Sequence, residues 1–123
     1  MGKGKEIKEG WESHIPPEVR KQDVELVIRE FFPKSRFGKR SSHEFVIYSE
    51  LAKEVYERVK QEYGAQNAQE LVSPFNYEGK KTVPIVSGRK VKGEYVRDIL
   101  KLIDKEEKFP EYLENLGKLK KGG

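Results

Sequence analysis

The sequence predicts an α+β fold: a small three-stranded sheet packed by helices, with a helical insertion between the second and third strands. Three observations carry this expectation. Apolar residues recur at three- and four-residue spacing within 24–32, 51–63 and 95–103, the pattern of helices with one buried face. Phe45-Val46-Ile47-Tyr48 and Thr82-Val83-Pro84-Ile85-Val86 are short β-branched or aromatic runs, the pattern of strands. A sheet with helices against it is the economical way to bury both kinds of stripe.

Taken in order, residues 1–15 read as a loose, charged, flexible N-terminal extension. Pro16-Pro17 then punctuates the chain and opens a single domain over 16–117. Val24, Val27, Ile28, Phe31 and Phe32 form the first helical stripe, which Pro33 ends. The basic stretch 34–42 reads as a short strand or loop leading to a turn, and Phe45–Tyr48 follow as a clear strand. Ser49 is placed to cap a helix holding Leu51, Ala52, Val55, Tyr56, Val59 and Tyr63, and Gly64 to stop it. Residues 65–73 add another helical turn or two, and 73–79 carry turn chemistry, so 49–79 is a helical insertion. Pro84 cannot donate a ladder hydrogen bond, which places the strand over 82–86 at an edge or near a bulge. Tyr95, Val96, Ile99, Leu100 and Ile103 form a further helix opening near Gly93. A separate short helix is expected from Phe109-Pro110, stopped by Gly117, with 118–123 as a basic, flexible tail.

Composition excludes several classes of function. The chain has no cysteine, which removes disulfides, thiolate zinc sites and cysteine nucleophiles, and fits a reducing cytoplasm. His14 and His43 lie far apart with no ligand-spaced carboxylates around them, so neither metal nor cofactor is expected. No apolar run approaches the ~18 residues of a membrane span, and the charged N-terminus lacks the apolar region of a signal peptide. The glycines do not form a phosphate-loop spacing, which argues against nucleotide hydrolysis.

The net charge is +4, and its distribution says more than its size. Residues 34–40 carry four positive charges and no acid, and 80–97 carry six against Glu94 alone. The stretches 50–70 and 104–114 are acid-rich, with five acidic residues each. If the fold gathers the two basic blocks, they make an anion-attracting face, and otherwise they are two solvated loops. Phe37, between Arg36 and Lys39 with no apolar neighbour, is placed to stack on an unpaired base. Tyr95 reads as core, and His14 as incidental.

Val83-Pro84-Ile85-Val86-Ser87-Gly88, then Lys92-Gly93 and Ile99-Leu100, resemble the C-terminal signature of the HicA toxin family. Ser42-His43-Glu44-Phe45 resembles that family's Gly-Ser-His motif at the start of a strand. The resemblance covers roughly 20–48 and 80–116. The family differs in joining its second and third strands by a short turn, in having a Gly where Ser41 stands, and in some members a second His where Val86 stands. The resemblance implies a double-stranded-RNA-binding-like α-β-β-β-α fold. It also implies a metal-independent endoribonuclease that cleaves mRNA and is inhibited by a HicB-type antitoxin.

In that reading His43 is the catalytic residue, because internal attack on RNA needs the 2′-OH deprotonated and the leaving 5′-oxygen protonated. Lys39, Arg40, Ser42, Arg89, Lys90 and Lys92 hold the RNA backbone, arginine in a bidentate grip and lysine as a point charge. Two alternatives stay open from the residues themselves. One is a non-catalytic RNA-binding module of the same fold. The other is a protein-interaction domain that presents Tyr56 or Tyr63 of the insertion to a partner.

Overall fold

The computed structural model describes residues 2–37, 44–84 and 90–122, with 37, 44, 84 and 117–122 described by backbone alone. Its elements in chain order are α1 (Lys3–Ser13), β1 (Glu18–Arg20), α2 (Lys21–Phe31), β2 (Arg36–Phe37), β3 (Glu44–Tyr48), α3 (Glu50–Tyr63), α4 (Ala65–Val72), β4 (Lys80–Pro84), β5 (Lys90–Lys92) and α5 (Gly93–Gly122). The class is α+β, with one sheet in the order β2-β3-β4 and a two-stranded sheet of β1 and β5. The helices α3 and α4 lie in the chain between β3 and β4. The polypeptide divides into two compact units, Met1–Tyr48 with Lys81–Ile103, and Ser49–Lys80 with Asp104–Gly123. The insertion 49–79 thus falls in one unit with the second part of α5.

In the first unit the stripe of α2 works as its spacing predicts, with Val24, Val27, Ile28 and the following Phe32 all buried. The strand β3 buries Phe45 and Ile47, and Val46 and Tyr48 are half-buried, as a pleated strand requires. It pairs antiparallel with β2, Arg36 opposite Val46 and Phe37 opposite Phe45. The Ser35 hydroxyl accepts from the Tyr48 amide at 3.0 Å and holds the end of that pair. Pro84 closes β4, an outer strand of its sheet, where a missing N–H is tolerated. The β1–β5 pair was not expected. Each strand is three residues long with a single buried valine, Val19 or Val91, too short to show a two-residue period.

The loose lead-in expected over 1–15 is corrected by α1, which packs on α2 and buries Trp11. One tryptophan and Ile7 supply its apolar face, and the Lys8 ammonium sits 5.3 Å from the centre of the Phe31 ring. Gly10 lies exposed within this helix, with open space where a Cβ would stand. Gly10→Ala therefore stabilises the protein by about 0.5–1 kcal/mol through helix propensity alone. A shift of the urea midpoint to higher concentration, with an unchanged slope, checks this.

In the second unit Ala52, Val55 and Val59 of α3, Ala68 and Val72 of α4, Phe75 and Phe109 are buried. The rings of Phe75 and Phe109 lie 6.1 Å apart and tilted, and Phe109 and Tyr112 repeat the arrangement at 6.2 Å. Gly64 ends α3 as expected, with φ of 90°. Ser49 caps it: its hydroxyl accepts from the Ala52 amide at 3.1 Å. The turn before β4 is organised by Asn76, whose side-chain oxygen accepts from the amides of Glu78 and Lys80 at 2.8 and 2.9 Å.

The separate short helix expected from Phe109-Pro110 is also corrected. The helix α5 continues through Pro110, and by its backbone through Gly117 to Gly122, where a stop and a flexible tail were expected. Proline has no N–H, so Glu106 loses one helical hydrogen-bond partner, and the chain tolerates this beside the buried Phe109.

Burial pushes the Glu106 carboxyl above its ordinary value of 4.5; a hydrogen bond from Ser49 pulls it back, and the neighbouring Glu107 charge raises it further. The folded protein therefore holds this proton more tightly than the unfolded chain. The contribution to stability is full below 4.5 and declines as pH rises through the raised value. Glu106→Gln removes that dependence. Urea midpoints of the two proteins, compared from mildly acidic to neutral pH, should diverge in favour of the glutamine variant as pH rises.

Candidate nucleic-acid interface

Pleating sends alternate residues of a strand to opposite faces. In β5 this buries Val91, 1% exposed, and leaves Lys90 and Lys92 exposed on the other face. Across the antiparallel register Lys90 stands opposite Arg20 and Lys92 opposite Glu18, with Val19 opposite Val91 on the buried side. Arg20 and Lys90 are like charges placed directly across a strand pair, a mildly destabilising arrangement. Asp23 offsets part of it, with a carboxylate oxygen 3.6 Å from the Arg20 guanidinium.

Immediately after Lys92 the chain turns into α5. Gly93 donates its amide to the Pro17 carbonyl at 2.8 Å. The Pro16 carbonyl stands where a Cβ of residue 93 would have to be, so this approach of the two segments requires glycine. The approach leaves a groove of about 520 Å³ beside the strand pair. His14, Pro16, Pro17 and Glu18 line one side, and Lys92, Glu94 and Arg97 the other. Arg97 lies one helical turn after Gly93, which brings its side chain to the groove.

No family model, curated protein or solved structure matches the chain.

Of the residues that the sequence offers for RNA contact, Lys90 and Lys92 stand together on the exposed face of β5. Phe37 lies in β2, and its backbone pairs with Phe45. Lys39, Arg40, Ser42, His43 and Arg89 lie outside the described residues. The sequence reading passed over His14 and Arg97 as groove residues. Arg97 shows in the sequence only as one charge of the basic block 80–97, and its meeting with His14 has no linear signal, because 14–18 and 92–97 come together only through the β1–β5 pairing. Among the described residues, no group of three or more His, Cys, Asp or Glu side chains is placed to hold a metal ion. Among the same residues, no helix is long and apolar enough to cross a membrane.

Proposed function

We propose that this chain is an RNA-binding, HicA-like endoribonuclease that cleaves mRNA in the cytoplasm without a metal and is inhibited by a HicB-type antitoxin. One observation supports the reading: α2 precedes the strands of the sheet β2-β3-β4 and α5 follows them, with β5 between β4 and α5 pairing to β1 instead. A double-stranded-RNA-binding-like domain runs helix, three strands, helix; here α3 and α4 stand before β4, and β5 stands before α5. In the proposed reaction the 2′-oxygen attacks the adjacent phosphorus as its proton leaves. The bond to the 5′-oxygen breaks, and that oxygen takes up a proton. The products are a 2′,3′-cyclic phosphate and a free 5′-hydroxyl. His43 serves one or both proton transfers, and the basic side chains hold the phosphates on either side.

Backbone contacts release counterions, so RNA binding weakens steeply as salt rises. A double substitution, Lys90→Ala with Lys92→Ala, removes two contacts. It lowers the slope of log affinity against log salt by about 1.4 for single-stranded RNA. Gel shifts over a salt series check this. Affinity indifferent to salt contradicts the backbone-contact model. Salt-sensitive binding with no product on long incubation favours the non-catalytic module.

A further inference from the structure

The groove at the start of α5 has a composition unlike a plain phosphate site. It is a shallow, solvent-open groove of about 520 Å³. It offers one flat, rigid apolar edge in Pro16 and Pro17 and an exposed imidazole in His14. It offers two cations, Lys92 and Arg97, and two carboxylates, Glu18 and Glu94. Among the described residues neither cation has an ion-pair partner within 4.0 Å. Phosphate alone needs no carboxylate, and two carboxylates would repel it. A ligand that carries both a phosphate and hydrogen-bond donors uses the whole set.

We propose that this groove is a subsite for one unpaired guanine nucleotide of the RNA, an inference that rests on the RNA-binding reading above. Unpaired bases are recognised by stacking on imidazole or guanidinium planes and by hydrogen bonds along their pairing edges. Guanine presents two adjacent donors on that edge, N1–H and the N2 amino group, which a single carboxylate accepts together. Glu94, at the start of α5, is the acceptor. Arg97 takes the phosphate in a charge-assisted contact, and His14 stacks on the base. Uracil presents one donor and two carbonyl oxygens, and meets the same carboxylates poorly.

The test is a titration of the full chain with 5′-GMP, 5′-UMP, guanosine and inorganic phosphate in turn, read by amide NMR shifts at Lys92, Gly93 and Glu94. Saturable shifts are expected with 5′-GMP, at an affinity at least about tenfold above that for 5′-UMP. Glu94→Gln is expected to erase that preference, and Arg97→Ala to bring 5′-GMP down to the level of guanosine. Equal response to 5′-GMP and inorganic phosphate, equal response to 5′-GMP and 5′-UMP, or no saturable shift overturns the proposal. Gel shifts with a guanine-containing oligoribonucleotide separate the two levels. RNA binding with no mononucleotide response sinks the groove alone, whereas 5′-GMP binding without RNA binding sinks the RNA-binding reading.

Discussion

His43→Ala is expected to cut RNA cleavage sharply while leaving RNA affinity and folding intact. A positioned acid–base group contributes roughly 10²–10⁴-fold to a proton-transfer step, so the variant falls by about that factor. His43 is one of two histidines in the chain, and no cysteine is present to take over the role. The contrast between cleavage and binding is what makes the variant informative. A structural histidine would lower both together, through lost folding. Parallel gel shifts and thermal melts separate the cases. Cleavage at the parent rate by a folded His43→Ala protein removes His43 from the mechanism.

Gly79→Ala carries the largest expected cost to stability, about 2–4 kcal/mol, from two independent causes. Gly79 has φ of 77°, a conformation that an L side chain adopts only with strain. The new Cβ would also meet the Ser49 carbonyl oxygen, with the Lys53 amide nitrogen 3.2 Å away. Neither obstacle is a flexible side chain that can swing aside. The same contact is held from the other direction, because the Ser49 amide donates to the Gly79 carbonyl at 2.8 Å. Ser49 in turn caps α3 and bonds Glu106, so the strain spreads through the second unit. A urea midpoint close to that of the parent protein would contradict this account of the turn.

Much of the fold was legible because its signals are local. The stripe at Val24, Val27, Ile28 and Phe32, the run Phe45–Tyr48, and the caps Ser49 and Gly64 all act within a few residues of themselves. The missed parts depend on distant segments. The strands β1 and β5 each have one apolar residue, and their identity comes only from pairing across some seventy positions. The helix α1 shows a single tryptophan in its sequence, and its packing surface is supplied by α2. Pro110 read as a helix start because proline favours the first turn, and the local rule yielded to a helix already running. The candidate site divides in the same way. Lys90 and Lys92 were visible as charge, while His14 and Arg97 became groove residues only when the chain folded.

The most direct test of the central claim is incubation of the full chain with single-stranded RNA and with DNA of the same sequence, EDTA present throughout. The account predicts that the RNA is cut to products ending in a 2′,3′-cyclic phosphate while the DNA, lacking the 2′-OH, stays intact. RNA that is bound but never cut, or DNA cut alongside it, would contradict the account.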